Sequence, residues 1–353
     1  MFGAVLSERL QSDRNSFNLV RLAAAASVIV SHLFILRFGP GTPEPLSLST
    51  PFTLGQHAVN VFFVLSGLLL SRSLDRNPDL WRFAFARVLR IVPGLLAYGL
   101  VFALVAGPLL TSMAITGYFT DIKTWTYPLT VLARFQHAPA PPGLFGDLPY
   151  ASAVNEPLWT LKYEIAAYAG LGIAQAMGLR RSVAFLMISI LLTAIGIVAL
   201  QPGSQALAGA VDKLWPFHLS RYGLCFLLGV LAHRGRDVLP VTPWLLPVSF
   251  IAAIAFAGTT LSPVTCIVAT AHVAVVAGAM DFGAATRWTQ RDDISYGTYI
   301  YGWPVQQALL TLVPGISLPL FALLSFVCVM PLAIFSWSAI ERPALNYRSG
   351  RAA

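Results

Sequence analysis

Residues 18–36 read NLVRLAAAASVIVSHLFIL. Apart from Arg21 and His32 the stretch is small or apolar. As a helix rising 1.5 Å per residue it is long enough to cross the hydrocarbon core of a bilayer. Stretches of the same kind recur along the whole chain, at 18–38, 54–74, 91–111, 155–177, 182–200, 217–233, 243–260, 263–281, 295–313 and 317–340. The chain has 353 residues, 56% hydrophobic and 11% charged. Soluble domains carry about 25% charged residues. This balance excludes a soluble globular protein, and the apolar content excludes disorder. The chain reads as an all-α integral membrane protein with about ten transmembrane helices. The first stretch is too long for a signal peptide; Arg9 and Arg14 precede it, and no small-residue cleavage site follows.

Charge placement orients these spans. With the N-terminus in the cytoplasm, 17 of the 23 Lys and Arg fall in cytoplasmic segments and 4 in outer ones, counting Lys213 outside and Arg351 inside. Lys162 and Arg221 lie within spans. The positive-inside rule then predicts both termini in the cytoplasm, in a multi-pass protein of the cell inner (plasma) membrane. The net charge of +8 reads as topology rather than as a nucleic-acid surface. Most connections are short, but 112–154 forms a long outer loop with the run Pro139-Ala140-Pro141-Pro142-Gly143. Such a loop is either a binding segment or a linker. No repeat is visible and no soluble domain is expected, so 1–353 reads as one membrane domain.

Several chemistries are absent. Cys225, Cys266 and Cys328 lie in apolar runs without a CxxC, and there is no HExxH, P-loop or GxSxG. No metal is expected. What remains are ionisable residues inside spans, which are costly there and usually face a cavity or pathway. Arg21 and His32 are three turns apart on one helix face, roughly 16 Å along the axis. Arg87 and Arg90 share a face, and two guanidiniums so placed can clamp phosphate. Glu164, in NEPLWTLKYEIAAY (155–168), lies roughly 13 Å below the outer boundary and His32 roughly 9 Å below its own. At similar depth, a carboxylate beside an imidazole would orient it and stabilise its protonated form. Each residue also has a plain reading: a packing histidine, positive-inside arginines, an Arg221 partner for Glu164, close packing at Ser66-Gly67, and interfacial aromatics at Tyr296 and Tyr299.

Six blocks in order resemble the membrane-bound acyltransferase-3 family, whose members O-acylate surface glycans and some antibiotics. They are Arg21 with His32; Phe62-Phe63-Val64-Leu65-Ser66-Gly67; Arg87-Val88-Leu89-Arg90 with Pro93; Trp159-Thr160-Leu161-Lys162-Tyr163-Glu164; Ser295-Tyr296 with Tyr299; and Glu341 with Pro343. The likeness runs from Asn18 to about Arg348. Members commonly carry a second histidine shortly before the Pro of the Ser-Tyr block. Here Gly302 holds that place, so only the first-helix histidine carries over.

The resemblance implies an O-acyltransferase moving an acyl group, most simply acetyl, from cytoplasmic acyl-CoA to a hydroxyl of an extracytoplasmic glycan or related acceptor. Arg21, Arg87 and Arg90 would take the phosphates of acetyl-CoA. His32 would act as general base, with Glu164 beside it. Ser66, Trp159, Tyr296 and Tyr299 would line the substrate route. The competing class is a proton-coupled secondary transporter, which buried Arg, His and Glu also fit. It lacks support from internal repeats or paired broken helices.

Overall fold

The computed structural model describes residues 5–135, 138–151, 153–201 and 214–348. Lys213 and Arg351, which enter the orientation count, lie outside these residues. Among the described residues the α-helices are α1 (Leu6–Gln11), α2 (Phe17–Phe38), α3 (Leu54–Arg76), α4 (Leu80–Val101), α5 (Gly107–Leu110), α6 (Ile115–Thr120), α7 (Ile122–Arg134), α8 (Leu161–Ala176), α9 (Val183–Leu200), α10 (Leu214–Arg234), α11 (Leu246–Ala255), α12 (Ser262–Ala279), α13 (Ala284–Arg291), α14 (Ser295–Leu312), α15 (Leu318–Ser336) and α16 (Arg342–Arg348). Extended structure is confined there to a single bridge between Val5 and Pro240.

The ten predicted stretches are helical over most of their length, but among the described residues six helices are long and apolar enough to cross a membrane: Phe17–Phe38, Leu54–Arg76, Leu80–Leu110, Val183–Leu200, Ser262–Ala279 and Leu318–Tyr347. The other four fall short for separate reasons. α8 has 16 residues because its first turns are a 3-10 segment, Glu156–Thr160. α10 carries Arg221 and two histidines. α11 stops at Ala255, and Gly258 turns the chain at φ +75°. α14 is rich in Tyr and Gln. α9 is the most lipid-like helix: Phe185, Met187, Ile188, Leu191, Leu192 and Ile195 are all exposed. In water such a face would be a large unsatisfied apolar patch; in hydrocarbon it is the expected surface.

The chain divides into two compact units. The first comprises Met1–Ala24, Pro45–Phe83 and Tyr163–Arg291. Its centre is the contact of α3 with α10, where glycines let two backbones meet. A Cβ at Gly67 would fall 1.9 Å from the Phe226 carbonyl oxygen, and one at Gly229 2.0 Å from that of Val64. Gly67 of the Leu-Ser-Gly block is thus a packing glycine. Thr53 and Gln56 form a capping box that starts α3. The Arg221 guanidinium is buried nearby. It donates to Asn60 Oδ1 (2.9 Å) and the Gln56 carbonyl (2.8 Å) and lies 4.2 Å from the Phe52 ring centroid.

The second unit comprises Ala25–Glu44, Ala84–Lys162 and Asp292–Ala353. Its core gathers Leu33 and Leu36 of α2, Trp303, Leu309 and Leu310 of α14, and Phe321 of α15. The segment 112–154 is not the bare loop the sequence suggests. Its first half is α6 and α7, packed on α4: Gly99 abuts Pro128, the Tyr118 hydroxyl donates to the Ala103 carbonyl (2.8 Å), and the Tyr98 and Tyr127 hydroxyls meet at 2.8 Å.

Candidate functional site

His32 lies in the second unit, half-buried on α2. Its ring packs edge-on to Trp303, with centroids 4.9 Å apart and planes at 80°. Among the described residues no side chain hydrogen-bonds either ring nitrogen, so shape rather than a hydrogen bond holds the imidazole. Its surroundings are fixed more firmly. Trp303 Nε1 donates to the Ala153 carbonyl (2.8 Å). Gln307 Nε2 donates to the carbonyls of Tyr150 (2.8 Å) and Ala153 (3.1 Å), and Gln306 Nε2 to that of Ile29 (2.9 Å). Asn155 Nδ2 donates to the Ile300 carbonyl (2.8 Å). The end of the 112–154 segment is thereby fastened to α14 beside the His32–Trp303 contact. At Gly302 a Cβ would come 3.0 Å from Ile29 Cγ1, so a histidine at that place would need the Ile29 side chain to shift.

A second locus in this unit joins three of the sequence blocks. Arg90 Nη2 lies 2.8 Å from Asp293 Oδ2, and Arg90 Nη1 lies 3.7 Å from Glu341 Oε2. The guanidinium carbon is 5.8 Å from the Tyr296 ring centroid and 5.9 Å from that of Trp337. The Tyr296 hydroxyl donates to the Ile91 carbonyl (2.9 Å). Glu341 reaches inward because Trp337–Glu341 is a π-helical turn, a bulge that re-aims a side chain. Ser336 and Ser295 complete the acceptor sides of Glu341 and Asp293 at 2.9 and 2.6 Å. Arg87 is half-buried one turn from Arg90 on α4.

Tyr299 serves a third purpose. Its hydroxyl donates to the Pro157 carbonyl (2.9 Å) and meets Thr160 Oγ1 at 2.7 Å. It fixes the 3-10 turn that carries Trp159 into α8. The remaining expected site residues belong to the first unit. Arg21 is half-buried in the early turns of α2, and Ser66 is half-buried beside the packing Gly67. Glu164 accepts a hydrogen bond from the Tyr168 hydroxyl one turn on. Arg221, the structural partner the sequence left open for Glu164, is engaged with Asn60 and Gln56 instead.

A family model described as an acyltransferase domain matches residues 14–342. The chain belongs to the acyltransferase-3 family. Among curated relatives, this acyltransferase is 29% identical over 343 residues to the O-acetyl transferase of Shigella phage Sf6, covering 95% of this chain and 97% of the relative. It is 28% identical over 379 residues to nodulation protein 10 of Rhizobium leguminosarum bv. viciae, covering 97% and 96%. A shorter likeness, 29% over 157 residues, joins it to the acyltransferase MdmB of Streptomyces mycarofaciens, covering 42% and 36%. No solved structure matches. The protein is an acyltransferase with, among the described residues, six helices long and apolar enough to span a membrane. An acyltransferase needs an acyl donor and an acceptor; among the described residues no group of His, Cys, Asp and Glu could hold a metal ion.

Sequence reasoning missed four residues. Gln306 and Gln307 are completely buried amides on a span-like helix, and the search for misplaced polar groups would have found them had it extended beyond charges. Glu44 is 4% exposed and accepts from Ser31; within the Gly/Pro-rich run 39–45 it reads as an ordinary loop residue. Asp293, in QRDDIS (290–295), also reads as loop, and only the fold delivers it to Arg90.

Proposed function

We propose that this acyltransferase moves an acyl group, most simply acetyl, from cytoplasmic acyl-CoA to a hydroxyl of an extracytoplasmic glycan or related acceptor, with His32 as general base. The observation that carries the reading is the state of His32. It is an imidazole within an apolar helix, set edge-on against Trp303, with ring nitrogens uncommitted to other side chains. One ring nitrogen takes the proton of the acceptor hydroxyl as the oxygen attacks the thioester carbonyl carbon. The tetrahedral intermediate expels the CoA thiolate, and the imidazolium returns the proton to that sulfur. General-base assistance of this kind is worth about 10²–10⁴-fold.

In this reading Arg21, Arg87 and Arg90 supply the positive charge for the donor's phosphates, and Arg90 is oriented for that by Asp293 and Glu341. Glu164, held by Tyr168, is the second ionisable group assigned to the reaction. Ser66, Trp159, Tyr296 and Tyr299 belong to the substrate route, Tyr299 by fixing the turn that bears Trp159. The proposal keeps about ten spans, both termini in the cytoplasm and a place in the inner membrane. It rests there on the helical state of all ten stretches and on the arginine asymmetry. The relatives' names speak for acyl transfer and against a transporter.

The test is transfer of radiolabel from acetyl-CoA in membranes carrying wild type, His32→Ala, or Arg87→Ala with Arg90→Ala. Label should pass to a surface glycan with wild type and stop with His32→Ala, while CoA binding is retained. The double arginine variant should mainly raise the donor concentration required. Full activity of His32→Ala would sink the proposal.

A further inference from the structure

Helices α8, α9 and α10 of the first unit enclose a groove of about 290 Å³. Small residues of α8 (Ala167, Gly170, Ala174) form one wall, and Leu186, Phe226 and Val230 stand opposite. The wall is open at Gly170, where a Cβ would meet nothing within 4 Å. Four hydroxyl-bearing residues line the groove, Tyr163, Ser189, Thr193 and Tyr222; those of Ser189 and Thr193 bond to carbonyls of their own helix, Phe185 at 2.8 Å and Ser189 at 2.9 Å. Apart from these hydroxyls and Arg180 the lining offers hydrocarbon contact.

Arg180 closes one end, and the charge there is one-sided. Its guanidinium donates to Asp75 Oδ1 (2.7 Å). Arg234 donates to the carbonyls of Arg180 (2.8 Å) and Arg181 (2.6 Å). Arg236 lies 3.4 Å from Asp75 Oδ2 and 3.9 Å from Asp237, and His233 meets Asp75 at 2.7 Å. Four arginines thus gather here with two carboxylates: Arg180 and Arg236 pair with them, Arg234 is bonded to main-chain carbonyls, and Arg181 is exposed. An apolar groove between membrane helices that ends in surplus arginine charge suits an anionic head with a hydrocarbon tail.

We propose that this groove holds an acyl chain of an anionic glycerophospholipid, with the phosphate at Arg181, Arg234 and Arg236. A zwitterionic lipid matches the groove but brings its own cation to the arginines. Free phosphate matches the arginines but leaves the groove unfilled. The pantetheine arm of an acyl-CoA carries amides, and this mostly apolar lining offers them few partners. The inference is independent of the assignment of His32.

The experiment follows heat unfolding of the full chain in neutral detergent, titrated with dioleoylphosphatidylglycerol, dioleoylphosphatidylcholine, dioleoylglycerol, inorganic phosphate or palmitoyl-CoA. Phosphatidylglycerol should stabilise at concentrations at least about tenfold lower than the other four, since each arginine near an anionic head contributes a factor of about five. Arg181→Gln with Arg236→Gln should weaken it about twentyfold, and Arg181→Lys with Arg236→Lys should restore most of the loss. Gly170→Phe, which fills the groove and leaves every arginine in place, should weaken it comparably. Equal stabilisation by phosphatidylcholine, or unchanged phosphatidylglycerol affinity in Gly170→Phe, would overturn the proposal. So would tighter palmitoyl-CoA binding that Gly170→Phe removes. Lipid-free unfolding temperatures identify any variant that is merely misfolded; for such a variant Gly170→Leu replaces Gly170→Phe and the Lys pair carries the charge arm.

Discussion

Two histidines show how differently the two units use the same side chain. His233, in the first unit, is 2% exposed; Asp75 holds its Nε2 at 2.7 Å, and Arg236 approaches that nitrogen at 3.1 Å. His32, in the second, has an aromatic edge against it and no such tether. A ring locked between a carboxylate and a guanidinium supports structure, because moving its proton breaks a network. A ring held by packing alone keeps a nitrogen available, as the proposed general-base role requires. The two rings thus differ in both partner and burial, His233 being 2% exposed and His32 half-buried.

Four substitutions press on this contrast. His32→Ala should cost at least about a hundredfold in turnover with the unfolding temperature unchanged; a variant that loses stability instead would make His32 a second His233. Asp293→Asn loosens the hold on Arg90 and should raise the apparent KM for acyl-CoA about tenfold, a loss of roughly 1.4 kcal/mol from a charged hydrogen bond, with kcat nearly kept. A steady-state titration of the donor separates the two. Trp303→Phe keeps the ring edge at His32 but removes the bond to the Ala153 carbonyl, worth about 1 kcal/mol. Turnover should fall a few-fold, and limited proteolysis should cut the 138–151 stretch sooner. His233→Gln should leave turnover per folded molecule within about twofold while lowering stability by about 1–3 kcal/mol, because Asp75 loses a partner. Turnover that falls with His233→Gln at unchanged stability would erase the contrast between the histidines.

Much of this was legible in the sequence. Hydropathy placed all ten helical stretches, since a helix in lipid needs a long apolar run. It could not say which helices are long enough to span, because a 3-10 start at Glu156 and a turn at Gly258 follow local backbone geometry. Charge bias and the search for misplaced ions found His32, Arg90 and Glu164. They did not find the partners of Arg90, because Asp293 and Glu341 lie at helix ends that look solvent-facing until the fold brings them together. The segment after Ser112 reads as loop because no span-length apolar run falls within it. Yet Pro128 sits inside α7, where it supplies the surface against which Gly99 of α4 packs.

The tethers at the end of the 112–154 segment all run between α14 and the main chain. Trp303 and Gln307 grip the carbonyls of Ala153 and Tyr150, and Asn155 grips that of Ile300. Every amino acid brings the same carbonyl, so these hydrogen bonds do not depend on side-chain identity; the Tyr150 ring, edge-on to Trp303 at 4.9 Å, and the Asn155 amide are the side chains the anchor does need. The segment is therefore mounted like an interchangeable fitting. Away from those few contacts its side chains can change while the backbone keeps its place beside His32.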